Sequence, residues 1–505
     1  MAAQTIIELL NAGADDDTAI TAVDRTSLTY AALRTLVAET VAALRRLGVE
    51  RNDRVAIVLP NGPEMAAAFI AVGAGATTAP LNPAYRADEF RFYLEDLNAK
   101  ALLVETGSES PAIEVAQSLD VPVYELDVAD GSPAGAFTLP AAGDSATTAD
   151  LDYAASEDIG LVLHTSGTTS RPKIVPLSQT NVCASAKHIG EILNLNPADR
   201  CVNIMPLFHI HGLIAAVLSS LAAGASIYCT PGFNALRVFS WFADARPSWY
   251  TAVPTMHQAI LSRAARNAEI IEAMDLRFIR SSSSSLPPQV MAELEATFGC
   301  PVIESYGMTE AAHQMASNPL PPGARKPGSV GIAAGPEVTI MDTDNNILPV
   351  GETGEIVIRG PNVTKGYENN PTANAEGFSD GWFRTGDQGV MDAEGYLSIT
   401  GRLKEIINRG GEKISPREVD EILLDHPAIA QAVTFAIPHD KLGEEVGAAI
   451  VLKEGEAADE SEVREFAAQR LADFKVPRKV IFIDEIPKGA TGKLQRIGLH
   501  EKLGL

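Results

Sequence analysis

Four hydroxyl residues and a glycine, Thr165-Ser166-Gly167-Thr168-Thr169, follow an apolar stretch at residues 159–163, and Lys173 arrives four positions later. Such a loop offers closely spaced backbone N–H groups and hydroxyls to an anion, with the lysine as a point charge. The G-x-x-x-x-G-K-[ST] spacing of a P-loop is absent, so this is a phosphate cradle of another type. From composition alone, a Ser/Thr-rich surface turn reads similarly. A second group, Ile303-Glu304-Ser305-Tyr306-Gly307-Met308-Thr309-Glu310, sets an aromatic ring beside a glycine, where it can lie open to a planar base. Thr309 and Glu310 add a hydroxyl and a carboxylate that suit a magnesium ion keeping most of its waters. Taken alone this is also an ordinary strand-to-turn sequence. In a third group, Gly381-Trp382-Phe383-Arg384-Thr385-Gly386-Asp387, the aspartate is placed to accept two ribose hydroxyls, or to act as a plain Asx-turn residue. Gly401-Arg402 follows fourteen residues later. Near the end, Pro487-Lys488-Gly489-Ala490-Thr491-Gly492-Lys493 carries a lysine on a glycine-flanked loop, singly no more than a solvated cation. In Asn408-Arg409-Gly410-Gly411-Glu412-Lys413 the paired glycines allow close approach by a thin ligand.

The elements that must hold these groups alternate between strand and helix patterns. Residues 54–59, 77–80 and 101–104 read as strands, and residues 64–72 and 88–97 as helices, which predicts a parallel sheet covered on both faces. Gly73-Ala74-Gly75 is no dinucleotide fingerprint, because the third glycine is missing and the pair ends a helix. Residues 132–152, rich in Ala, Gly, Ser, Thr and Asp, read as a surface excursion. Beyond residue 402 come strands at 430–437 and 447–452, a helix burying Val463, Phe466, Ala467 and Leu471, and a strand at 480–483. This is a small α+β unit able to fold alone.

A chain of 505 residues with a formal charge of −25 needs two or more domains and repels a nucleic-acid backbone over most of its surface. Any anionic substrate must meet a local positive pocket. Cys183, Cys201, Cys229 and Cys300 form no C-x-x-C pair, so reduced thiols are expected. The first ten residues lack a signal-peptide pattern, no apolar run is long enough for a membrane span, and Leu503-Gly504-Leu505 is no peroxisomal tripeptide. A cytoplasmic protein without membrane or nucleic-acid partners is expected, with its oligomeric state open.

Together, in this order and spacing, the four motifs resemble the adenylate-forming acyl-activating superfamily, from Thr29-Tyr30 to Gln495. The resemblance implies an α/β fold. Its large N-terminal domain, with several subdomains and mixed and parallel sheets, would span residues 1–401, with a hinge at 402–404 and a small α+β lid at 405–505. It implies a ligase using ATP, Mg2+ and coenzyme A as cosubstrate, in which a carboxylate forms an acyl-AMP and the thiol then displaces AMP. Thr165, Ser166, Gly167, Thr168, Thr169 and Lys173 would hold the β- and γ-phosphates. Tyr306, flanked by Ser305 and Gly307, would stack on adenine; Thr309 would contact the α-phosphate and Glu310 the metal. Asp387 would bind ribose, Arg402 ribose or phosphate, and Lys493 the charge developing during attack. Lys404 stands at the hinge, and Gly410 and Gly411 would line the pantetheine channel.

Several stretches resemble the oxalate–CoA ligase branch, among them Trp249-Tyr250-Thr251-Ala252-Val253-Pro254-Thr255-Met256-His257-Gln258, Arg277-Phe278-Ile279-Arg280-Ser281 and Ser317-Asn318-Pro319-Leu320-Pro321. A small diacid needs donors for its second carboxylate. His313, three residues after Glu310, can supply a positive partner, or be a neutral histidine hydrogen-bonded inside the domain. Unit charges at ~4 Å are worth about 4 kcal/mol at an effective dielectric of ~20, enough to favour a diacid. Ser283 can add a hydroxyl. On an extended strand, His209 and His211 point to opposite faces and cannot share a metal ion. The resemblance puts His209 at the acid pocket as a gate or wall, with His211 in a structural support. Ile174 stands where relatives carry glycine; either the strand begins there or a β-branched residue is strained at positive φ. Ligases of malonate, medium-chain fatty or aryl-acrylic acids, transfer to a separate carrier protein, and a non-catalytic nucleotide-binding homologue are the alternatives.

Overall fold

A computed structural model describes residues 3–140, 151–165, 172–487 and 494–505. Short, apolar, β-branched runs build two parallel-rich sheets. The first has six strands in the order Val123–Leu126, Ala101–Glu105, Arg54–Val58, Thr77–Pro80, Ile159–His164 and Ile174–Ser178, all parallel except the last pair. The second has nine strands. Its parallel centre runs Val302–Met308, Phe278–Ser281, Trp249–Ala252, Arg200–Asn203, Ser226–Cys229 and Thr18–Ala22, with antiparallel strands at both ends. The helix Pro63–Gly73 touches strands of both sheets and is buried on nearly every side. Its four alanines are the physical reason it fits there, since small side chains let flanking backbones approach.

A five-stranded antiparallel sheet follows, including Thr353–Arg359, Trp382–Met391 and Leu397–Arg402. The C-terminal unit has a sheet of its own. Ile429–His439 pairs antiparallel with Gly443–Leu452, and Lys479–Phe482 lies parallel to the latter. Ile407, Ile414, Val419, Leu423, Ile450 and Val463 form its separate core. The helix Glu460–Ala468 stops before Leu471, which the sequence periodicity had on the helix face; Leu471 is still buried in that core.

The four cysteines are free and buried. Among the described residues, no helix is long and apolar enough to cross a membrane. Ile174 opens its strand, opposite His164, and is not among the residues with positive φ, so the strand simply begins there without strain.

Residues 208–211 differ from the sequence expectation. They form no strand: His209 lies in a turn, and His211 opens the π-helix His211–Leu218. The apolar stretch from Leu213 onward has no outward-facing polar residue to enforce period-2 alternation, so helical packing against the nine-stranded sheet and neighbouring helices wins. A π-turn of this kind commonly marks a functional site.

Candidate active site

Thr165, Thr309 with Glu310, and Ser283 follow the C-terminal ends of strands in the two parallel-rich sheets, where open α/β sheets bind ligands, whereas Asp387 and Arg402 face each other within the antiparallel sheet. Where the sequence leads one to expect phosphate binding, the Thr165 N–H donates to the Lys173 carbonyl (3.0 Å) and the Lys173 N–H to Thr165 Oγ1 (3.2 Å), which ties these two residues together. Ser166, Gly167, Thr168 and Thr169 lie outside the described residues, as does Lys493. The Lys173 ammonium stands 4.4 Å from the centre of the Tyr367 ring. The same tyrosine donates its O–H to Glu310 Oε1 at 2.7 Å. Burial pushes the Glu310 carboxyl above its ordinary range, while the Tyr367 hydrogen bond, Arg402 and Lys173 pull it down.

Among the described residues no group of three or more His, Cys, Asp or Glu side chains is arranged to hold a metal. One carboxylate near the Lys173 ammonium nevertheless fits Mg2+ shared with a nucleotide, since this ion takes one or two carboxylates and completes its shell with phosphates and water. Glu310 would be its protein ligand.

Among the residues expected to seat a nucleoside, the Tyr306 O–H donates to Asp387 Oδ2 (2.5 Å), and Arg402 Nε donates to Asp387 Oδ1 (3.0 Å). Burial and the adjacent Asp387 push the Tyr306 phenol upward, so it remains a donor. Each Asp387 oxygen keeps a lone pair for a ribose hydroxyl. Ser305 has a different place: its hydroxyl turns to the Ser281 carbonyl (3.3 Å) and its own carbonyl accepts from Ser282 Oγ (3.0 Å), tying two strands together. Gly307 is required by proximity, for a Cβ there would come within 1.8 Å of the His313 carbonyl oxygen. Thr309 and Glu310 lie in the single turn Thr309–Ala311 that reverses the chain into His313–Ser317.

The residues expected to meet the acid, Ser283 (φ 73°) and His313 (φ 93°), both hold left-handed backbone conformations, strain that non-glycine residues tolerate mainly at working sites. His211 joins them. Its Nδ1 lies 3.0 Å from Ser283 Oγ, its Nε2 lies 2.6 Å from Thr251 Oγ1, and its ring centre is 5.1 Å from that of His313. His209 is half-buried, and its Nδ1 receives the His211 N–H at 3.5 Å. His211 is thus part of the Ser283–His313 cluster and not simply a support behind His209, because residues 208–211 turn where a strand was expected.

Sequence reasoning missed three residues. Arg280 reaches both His211 and His313 (3.5 Å each), Thr251 closes the His211 contact, and Tyr367 couples Lys173 to Glu310. The available signal was a charged residue in the middle of the short apolar strand Phe278–Ser281.

Lys404 is exposed in the turn after Leu397–Arg402, and Gly410 and Gly411 are exposed in the hairpin between Ile407–Arg409 and Glu412–Ile414. Their φ values of 61° and 99° account for both glycines. None of the three joins the groups above. The C-terminal unit docks through Arg417, whose Nη1 donates to the Ile399 carbonyl (2.7 Å), through Ser415 on the Thr400 carbonyl, and through the Gln289–Asp425 contact.

Known proteins resemble this chain in sequence and in fold. The model of the AMP-binding enzyme family matches residues 10–368, and that of the AMP-binding enzyme C-terminal domain matches residues 418–493. An oxalate–CoA ligase of Arabidopsis thaliana is 46% identical over 490 residues, covering 95% of this chain and 94% of the relative. An oxalate–CoA ligase of Saccharomyces cerevisiae is 44% identical over 472 residues, covering 89% and 86%. Among solved structures, ATP-bound MatB from Rhodopseudomonas palustris superposes with a TM-score of 0.90 at 30% identity, covering 99% of this chain and 98% of that one. The apo form of MatB superposes with 0.79. With its large and small parts both matched, in order, along one chain, this protein belongs to the AMP-binding enzyme family.

Proposed function

We propose that the chain is an ATP-dependent acid–CoA ligase whose preferred acid is oxalate. One carboxylate oxygen attacks the α-phosphorus of ATP, releasing diphosphate and leaving an acyl-AMP. The coenzyme A thiolate then attacks the acyl carbon and AMP departs, so one difficult condensation becomes two displacements. Lys173 and the loop from Thr165 to Thr169 hold the outgoing phosphates, and Thr309 orients the α-phosphate. Tyr306, Asp387 and Arg402 seat the nucleoside. Glu310 would hold Mg2+, which would supply charge neutralisation at the phosphates. Lys493 comes from the C-terminal unit to meet charge that develops only in the transition state. That unit, turning about Lys404, then brings Gly410 and Gly411 to the pantetheine arm.

The observation that carries the acid assignment is the polar cluster of His211, Ser283 and His313, where a fatty acid would need apolar walls. The names of the relatives agree with it, and the better superposition on ATP-bound MatB fits a nucleotide-ready arrangement. Mass spectrometry of products from ATP, Mg2+, coenzyme A and a panel of oxalate, malonate, octanoate and coumarate tests it. Oxalyl-CoA is the expected main product. A different thioester refutes the acid, and no thioester from any acid refutes the ligase.

A further inference from the structure

We infer that Arg280 is the specificity-determining residue of the acid pocket: from behind its wall it orients Ser283, His211 and His313 as donors, so that the pocket selects an acid bearing a second negative charge. This rests on the acid site proposed above.

Arg280 sits in the strand Phe278–Ser281, paired with Thr251 on one side and Ile303 on the other, and its exposure is 0%. A guanidinium has five N–H donors and no acceptor. Here Nη1 reaches Thr251 Oγ1 (3.4 Å) and His211 Nε2 (3.5 Å), and Nη2 reaches Gln314 Oε1 (3.2 Å) and His313 Nδ1 (3.5 Å). Nε is buried without a partner. Among the described residues no carboxylate pairs with it. Other low-exposure arginines differ: Arg384 has Glu355, Arg409 has Glu445, and Arg496 has Asp420 and Glu405. A buried, uncompensated cation is expensive, and burial pushes the Arg280 guanidinium down to about 9. At neutral pH it is still charged. An anion entering the pocket supplies the missing countercharge.

The cation also fixes the direction of every hydrogen bond beyond it. Arg280 can only donate, so Thr251 Oγ1 accepts from it and turns its own proton to His211 Nε2. His211 then carries its proton on Nδ1 and donates to Ser283 Oγ. Ser283, half-buried at the end of this chain, is left to donate its O–H outward. On the other branch, His313 accepts at Nδ1 and carries its proton on Nε2. A wall of donors backed by a fixed positive charge suits a carboxylate or sulfonate, not an amide or an alkyl group.

The test compares Arg280→Gln with Arg280→Lys and the parent, following pyrophosphate release without coenzyme A, on oxalate and on oxamate, its monoanionic amide. Charge-assisted contacts of this kind predict that Arg280→Gln raises the KM for oxalate by about tenfold to a hundredfold, leaves the KM for ATP unchanged, and erases the preference over oxamate. Arg280→Lys should restore part of that preference. The parent KM for oxalate should rise as pH passes about 9, and the Gln variant should lack that rise. If Arg280→Gln does not fold, Ser283→Ala removes the outward donor and should lower the same oxalate-to-oxamate ratio. An unchanged ratio in the folded variants overturns the inference, as does an equal loss for both acids and ATP. If the parent prefers another dianion, the oxalate assignment fails alone and the variants are scored on that acid against its monoanionic amide. A parent preference for a monoanion overturns both.

Discussion

Replacing Glu304 by Gln should remove a pH dependence from the stability of the large unit. Glu304 lies two residues before Tyr306, with an exposure of 1%. Its Oε1 accepts the Leu286 N–H at 2.9 Å, and Oε2 is buried without a partner among the described residues. Burial pushes the carboxyl from its ordinary 4.5 up to about 7; the Leu286 N–H and Arg417 oppose this, and Glu421 adds to it. The folded state therefore holds this proton more tightly than the unfolded chain does. Below 4.5 both states are protonated and the group costs nothing. As pH rises from there to about 7 the unfolded chain ionises first, so stability falls through that window; above it the full cost is present. At about 1.4 kcal/mol per pH unit, the gap is worth about 3 kcal/mol. Glutamine keeps the acceptor for Leu286 and cannot ionise. Urea denaturation followed by the fluorescence of buried Trp241 and Trp249 reads the difference. Between about pH 5 and about pH 8 the Gln variant should gain about 2–3 kcal/mol on its parent. Parallel pH profiles for the two proteins would refute the reasoning, because they would mean that Glu304 titrates alike in both states.

Tyr367→Phe keeps the ring under Lys173 but deletes the 2.7 Å hydrogen bond to Glu310; loss of such a charge-assisted bond should raise the KM for ATP about tenfold in pyrophosphate release. A KM equal to the parent's would remove Glu310 from the phosphate end. Gly307→Ala sets a Cβ 1.8 Å from the His313 carbonyl, a backbone atom that cannot yield cheaply, and should cost about 3 kcal/mol or more, seen as a lower thermal midpoint and lost adenylation. A variant as stable and active as its parent would contradict the pairing of Val302–Met308 with His313–Ser317.

The parts legible in the sequence were those encoded locally. The strands near residues 54, 77 and 101 and the helices between them matched because each carries its own periodicity and end signals. In the small C-terminal unit the strands near 430, 447 and 480 and the helix between them were legible for the same reason, but Leu471 reaches the core from beyond the helix end, Phe466 stays half-buried outside it, and the hairpin Ile407–Arg409 with Glu412–Ile414 and the helix Pro416–Leu424 were not read. Residues 208–211 failed as a strand because four residues with alternating bulk fit either period, and only packing against the nine-stranded sheet and its covering helices decides. Motif spacing singled out Tyr306, Asp387 and Arg402, but nothing local says that they form one hydrogen-bonded line; the antiparallel pairing that sets Asp387 opposite Arg402 does.

Arg280 was illegible for a deeper reason. In Arg277-Phe278-Ile279-Arg280-Ser281, alternation places Arg280 on the same face as Phe278, which a half-buried strand would read as one outward charge spoiling an apolar face. The strand lies instead inside a nine-stranded sheet, with neighbours on both edges and cover on both faces, so neither face is outward. A charge there survives only because Thr251, His211, His313 and Gln314, from three other parts of the chain, turn acceptors toward it. Those partners are 29, 69, 33 and 34 residues away, distances no motif spans. In the proposed site, the phosphate and nucleoside ends would serve chemistry common to every acid, and their residues come in short motifs. The proposed acid end would have to tell one acid from another, and its residues are gathered by the sheet from separate strands. Selectivity is therefore the part of this site that sequence spacing conveys least.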